Sequence, residues 1–356
     1  MKYLNCYDQE QSIADHVYGT MILAVAFYSE YGRKNHLGNI LRKILLAEMK
    51  NASLESFDSC LENFSKGKGY LLEVKEVVEF YLFSSFGEEF SDREFIQFCK
   101  SLDKSLYTFF EVFLKQNSIG DENCELLFQL AKETGYFISY GLNERDFEIF
   151  RFYFLNYKLK NKIRSGWDST HWNVSSDRIE RISEHIVGTM ALALAIDSGF
   201  ELEIDIDKIL STLCIHEVGE ILIGDITPFD GTTPEEKQKI EHRAIIEVIG
   251  NLTKNRDMID LIFEFDDKKT ENAKFAHYCD KLEADIQAKV YQDMGCHHPL
   301  TEQRNNVVFK SSKVQKMVAD GAETAFDIWY EWDKSIYTNS PIFMKTLKYV
   351  KNTKLR

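Results

Sequence analysis

The sequence predicts an all-α protein, and three observations lead there. All four prolines lie at or after Pro228, so the first two hundred residues lack the residue that most strongly breaks helices. Apolar residues recur at helical spacing, as in Ile40, Leu41, Ile44 and Leu45, and again in Phe109, Phe110, Phe113 and Leu114. Alternating apolar and polar runs bounded by turn residues, the mark of half-buried strands, are scarce.

With 356 residues and 44% hydrophobic content, the chain has enough apolar material for two packed domains. Its formal net charge of −14 argues against a nucleic-acid polymer as partner, because nothing general attracts a phosphate backbone. A small phosphorylated ligand remains possible if a metal or a few arginines supply local positive charge. The seven cysteines are odd in number and form no CxxC pair, which fits reduced thiols in a cytoplasmic protein. The start of the chain shows no basic segment followed by an apolar one. The apolar runs 21–27 and 190–196 are too short to span a bilayer, so no membrane association is expected.

The chain repeats itself. Ile13-Ala-Asp-His-Val-Tyr-Gly-Thr-Met-Ile-Leu-Ala-Val-Ala26 matches Ile182-Ser-Glu-His-Ile-Val-Gly-Thr-Met-Ala-Leu-Ala-Leu-Ala195, which sets His16 against His185. The same register lays the apolar helix 40–48 under 209–217, and a small shift brings Leu102-Asp103-Lys104 beside Cys279-Asp280-Lys281. Three matches in one order point to duplication. The polar stretch 156–176, interrupted by Gly166, is the natural boundary, giving domains 1–155 and 156–356. The segment 224–234, with Gly231 and two prolines, reads as a loop after a helix.

The chemistry concentrates in 208–223. Read as one helix, this segment gathers Cys214, Ile215, Val218, Ile221 and Leu222 on one side. His216, Glu217 and Glu220 then fall within about 100° of one another on the other side. A solvated surface face would explain that pattern equally well. Two further residues tip the balance: His185 opens one apolar helix, and Asp280 sits alone in another. A carboxylate in such a setting is costly unless paired or metal-bound. The ordered series His185, His216-Glu217, Asp280 therefore suggests one divalent ion. Mixed imidazole and oxygen donors suit Mn, Co, Fe, Ni or Zn.

That series resembles the metal signature of HD-domain metal-dependent phosphohydrolases, and within them the 5′-deoxynucleotidase-like branch. Arg164-Ser-Gly-Trp167 looks like the segment before the first metal helix of that branch, and Arg181-Ile-Ser-Glu-His185 like the helix itself. His216-Glu-Val-Gly-Glu-Ile-Leu-Ile-Gly-Asp-Ile-Thr-Pro228 looks like its central motif, and Glu235-Glu-Lys also fits. The resemblance implies an HD helical bundle in the C-terminal half, with His185, His216, Glu217 and Asp280 as metal ligands. Glu217 stands where the family has Asp. Glu220 matches the carboxylate that acts on the attacking water, Arg164 the phosphate-binding arginine and Asp225 the deoxyribose contact. Trp167 is expected to wall the pocket, and Thr227 belongs to the substrate loop. The implied function is a 5′-nucleotidase that hydrolyses deoxynucleoside monophosphates to deoxynucleoside and phosphate. The alternatives are an HD hydrolase of a triphosphate or cyclic nucleotide, and a non-catalytic nucleotide-sensing regulatory protein.

The N-terminal half keeps His16, Glu48 and Asp103. It has Ala47 in place of His216, Asn51 for Glu220 and Ser56 for Asp225. It is expected to be a degenerate HD-like bundle without a complete metal site, packed on the second half, so that the chain is a monomer with an internal pseudo-dimer, or a homodimer. Cys296-His297-His298 reads as a loop, since adjacent histidines do not easily face one ion. Trp329, Tyr330, Trp332 and Tyr337 read as helix packing or an interface rather than a base-stacking platform. The Lys-rich end 345–356 reads as a solvated terminus.

Overall fold

The computed structural model describes residues 12–32, 36–54, 91–117, 144–167, 172–175, 179–200, 202–226, 231–303 and 306–355. Among them the chain is helical, and its β structure is limited to two isolated antiparallel bridges, Ile163 with Arg181 and Trp172 with His297.

Helix α1 (Ile13–Tyr31) starts at a capping box. Ser12 Oγ accepts the Asp15 amide at 3.1 Å, and the Asp15 carboxylate accepts the Ser12 amide at 3.0 Å. It stops at Gly32, whose φ of 64° lies in the left-handed region that glycine enters without a steric cost. Between these ends Tyr18 and Met21 to Ala26 are wholly buried. A helix apolar on every side belongs at a centre, and α2 (Leu37–Leu54), α3 (Asp92–Asn117) and α4 (Glu144–Asn161) pack around it.

Helix α5 (Ile182–Gly199) packs against α6 (Ile206–Ile215) and the long α10 (Glu271–Asp293). The short α7 (Glu220–Ile223) leads to α8 (Pro234–Ile249) and α9 (Asn255–Asp267), which close one side. Helices α11 (Ser312–Ala319), α12 (Ala325–Asp333) and α13 (Pro341–Asn352) complete the chain, with α12 and α13 against α10. Helix α1 lies on α5 and α2 on α6, so one hydrophobic core runs through both halves.

Three expectations need correction. The boundary at 155/156 falls inside α4, and the polar residues that suggested a linker are buried: Asn156 accepts from the Tyr18 hydroxyl at 2.7 Å, and Lys160 is 2% exposed. The segment 208–223 is not one continuous helix. After Ile215 the amides of Val218 and Glu220 bond the carbonyls three residues back, a tighter winding than the α-helix before it. This rotates Leu222 off the buried side. The Lys-rich end forms α13, because Phe343, Leu347 and Val350 share a buried stripe that the lysines flank.

Candidate metal centre and active site

Two helices and one turn bring the sequence-separated ligands together. Helix α5 carries His185, the turn after α6 carries His216 and Glu217, and α10 carries Asp280. One ligand atom from each lies within 4.8 Å of all the others. His185 Nε2 is 3.0 Å from Asp280 Oδ1 and 3.8 Å from Glu217 Oε1. His216 Nε2 is 3.5 Å from Glu217 Oε1 and 3.9 Å from Asp280 Oδ1.

The donor set fits a divalent cation on a specific observation. His216 Nδ1 donates to the Leu213 carbonyl at 2.7 Å, which leaves Nε2 with its lone pair. That atom is buried and has no hydrogen-bond partner. An orphaned buried acceptor facing two carboxylates and a second imidazole is what a cation would satisfy. On the far side of His185, Nδ1 pairs with Glu283 Oε2 at 2.6 Å, so a carboxylate orients the ring. Glu283 is a residue the sequence reading missed. It lies three positions after Asp280, one turn along the same face of α10.

The electrostatics are those of a site short of positive charge. Burial pushes Glu217 up, but His216 and Arg164 override it and bring the carboxyl down to about 2. Burial likewise opposes ionisation of Asp280, yet Lys281 and the two imidazoles hold it well below its ordinary range. Lys281 Nζ stands 3.1 Å from Asp280 Oδ2. Burial and Arg164 lower His185, while Glu283 and Asp280 raise it further, to about 9. Glu220 goes the other way: burial first, then Glu217 and Asp225, push its carboxyl well above the usual range. Its Oε2 is buried and unpartnered beside the ligand cluster.

These groups open into a cavity of about 490 Å³ lined by Arg164, His216, Glu217, Glu220, Asp225 and Asp280, and also by Lys237, Lys268, His277 and Lys281. Arg164 is fixed by its backbone: its amide donates to the Glu180 carbonyl at 3.1 Å beside the Ile163–Arg181 bridge. Its guanidinium reaches Glu217 Oε1 at 3.1 Å. Ser165 stitches this turn to the loop after α7, donating from its amide to Asp225 Oδ2 and from its hydroxyl to the Asp225 carbonyl, both at 2.8 Å. Lys162 Nζ donates to the Glu220 carbonyl at 2.6 Å, a second support absent from the sequence reading. Thr227 lies outside the described residues.

Trp167 is not in the cavity wall. It is 2% exposed, stacks on Trp329 at 4.7 Å, meets Trp172 and Tyr291 edge-on, and donates from Nε1 to Glu180 Oε2 at 2.7 Å. Its size and indole donor suit a core anchor as well as a pocket wall, and sequence does not separate the two. Trp167→Ala is therefore expected to cost about 3–5 kcal/mol of stability. Urea unfolding measures it, and a variant as stable as the parent would contradict the anchoring role. The other aromatics behave as read: Tyr337 is buried and donates to Asp285 Oδ2 at 2.7 Å. Cys296 and His297 lie in the irregular segment after α10, and His297 Nε2 pairs with the Gln292 side chain.

The HD domain family matches residues 157–322. The 5′-deoxynucleotidase HDDC2 of Dictyostelium discoideum is 34% identical over 142 residues, covering 38% of this chain and 73% of that protein. The mouse 5′-deoxynucleotidase HDDC2 is 27% identical over 148 residues, covering 41% of this chain and 71% of its own, and the human protein is 27% identical over 139 residues, covering 38% and 65%. Among the described residues, no helix is long and apolar enough to cross a membrane. With its His185, His216, Glu217 and Asp280 drawn to one point, this chain belongs to the HD-domain family, in its 5′-deoxynucleotidase-like branch.

Proposed function

We propose that the chain is a metal-dependent 5′-nucleotidase that hydrolyses deoxynucleoside monophosphates to deoxynucleoside and phosphate. The observation that carries this reading is the orphaned His216 Nε2 among three other candidate ligand atoms, with Glu220 and Arg164 in the same cavity. HD-domain relatives named as 5′-deoxynucleotidases support the substrate class.

His185, His216, Glu217 and Asp280 would hold a divalent ion such as Mn, Co, Fe, Ni or Zn, which would supply Lewis acidity to the site. The chain's own groups do the rest. Glu220 takes a proton from the water as its oxygen bonds to phosphorus. The bond from phosphorus to the sugar oxygen breaks, and that oxygen leaves as a hydroxyl after taking a proton from solvent, while Glu220 gives its own proton back to solvent. Arg164 offers a fork of donors to the phosphate oxygens. Asp225, held by Ser165, faces the sugar. A cytoplasmic setting accompanies this reading, since Cys99, Cys214, Cys279 and Cys296 stand as free thiols.

Phosphate release from a panel of nucleotides, with each metal added separately, tests the proposal. Deoxynucleoside 5′-monophosphates should be the preferred substrates. A fully metallated protein that releases phosphate from none of them would overturn it and favour a sensing role. Arg164→Ala should lower kcat/KM by about 10²-fold or more while raising KM, because the phosphate is charged in both ground and transition states. It should also leave Glu217 without its cation. Unchanged kinetics in this variant would remove Arg164 from the phosphate site.

A further inference from the structure

The register that sets His16 against His185 also sets Ser12 against Arg181, Asp15 against Glu184 and Gly38 against Asp207. Contacts between the halves obey the same exchange. Asp15 Oδ2 accepts from Arg181 Nη1 at 2.9 Å, and Arg181 is the counterpart of Ser12. Reciprocally, the Ser12 side chain stands near Glu184, the counterpart of Asp15, and favours its ionised form against burial. Gly38 meets its own counterpart, and a Cβ there would fall 1.8 Å from the Asp207 carbonyl oxygen. Helix α1 faces α5 and α2 faces α6. A contact of residue i with j′ matched by j with i′ is the signature of a two-fold interface. Here both faces belong to one chain.

Each half also holds a buried His–Asp pair. His185 Nε2 lies 3.0 Å from Asp280, and His16 Nδ1 lies 2.6 Å from Asp103. The surroundings differ. The first half has Ala47 at the position of His216, and it has Lys160. That ammonium, on a side chain 2% exposed, lies 2.8 Å from Asp103 Oδ1 and 3.5 Å from the Tyr153 hydroxyl. Although burial opposes it, Lys160 and His16 hold Asp103 below its ordinary range. The carboxylate thus receives from a side chain the positive charge that its counterpart draws from Lys281 and the imidazoles, and would draw from an ion.

The wholly buried Asp15 reaches further. Besides Arg181 it accepts from Ser183 Oγ at 2.5 Å. Both partners sit at the first turn of α5, four and two residues before His185. The Asp15 carboxylate therefore ties the central helix of one half to the turn that sets the metal helix of the other.

We propose that the first half is a built-in pseudo-subunit, with Lys160 as the fixed cation of its degenerate site and Asp15 as a positioning residue for His185 across the internal two-fold. The inference concerns the metal centre and not the substrate, so its test uses no turnover. Full-length apo protein is titrated with Co²⁺, read by calorimetry and by visible absorption. The parent should take one equivalent; two would overturn the role of Lys160. Asp15→Asn should weaken Co²⁺ binding roughly 10- to 100-fold and alter the absorption spectrum, as losing an orienting partner does. Glu30→Gln is the control. Glu30 accepts from the Thr253 amide at 2.7 Å and hydroxyl at 2.6 Å, another inter-half contact away from His185. It should lower the melting temperature yet leave Co²⁺ affinity unchanged. If both variants bind Co²⁺ as the parent does, or weaken it equally, Asp15 has no positioning role. Lys160→Met should destabilise the protein, and a variant that melts with the parent would overturn the cation assignment. Should that variant fail to fold, the parent's stoichiometry still decides.

Discussion

His216→Ala is expected to abolish metal binding and turnover together. Losing an orienting partner of a metal ligand already costs roughly 10- to 100-fold in affinity or activity, and this change removes a ligand itself. The metal-free protein should feel the change much less. His216 Nε2 has no hydrogen bond there to lose; the Nδ1 bond to Leu213 and the ring contacts with Phe265, at 5.3 Å, and His185, at 5.8 Å, disappear, and Glu217 loses one of the groups that favour its ionised form. The melting temperatures of parent and variant should therefore lie close together in chelator and separate on adding metal, because an ion that binds only the folded parent stabilises it by mass action. Elemental analysis provides the direct check, and full metal occupancy in the variant would contradict the assignment.

Glu220→Gln should behave in the opposite way, keeping the metal and losing the rate by about 10²- to 10⁴-fold, the usual contribution of a general base. Glutamine preserves shape, so neither packing nor the carbonyl bond to Lys162 need change. The direction of the pH dependence follows from the environment. Burial and the carboxylates of Glu217 and Asp225 favour the protonated form of Glu220, whereas a base must be ionised. The parent's rate should rise as pH climbs through the Glu220 titration, and the variant should lack that rise. A variant as fast as the parent, or one with the same rising limb, would reassign the base.

Expectations built on spacing within one segment fared well. The apolar rows of α1 and α2 predict buried helices, and those helices form. The polar positions 216, 217 and 220 reach one cavity, although the winding tightens between them. The tail 345–356 was misread for lack of the same test: its apolar residues at 343, 347 and 350 already had helical spacing, but the lysines between them dominated the composition.

By itself the sequence determined the all-α class, the series of metal-capable residues and the family resemblance, because these depend on local periodicity and on residue order. Only the tertiary structure decided that Arg164 pairs with Glu217, that Trp167 belongs to the aromatic core, that Glu283 orients His185, and that Lys160 neutralises Asp103. Each of these is a meeting of side chains from different helices or turns. Periodicity along one helix fixes which of its residues share a face. Which face of another helix it meets, and at what distance, follows from packing the whole core, and charge then settles where burial leaves a carboxylate or an ammonium no other partner.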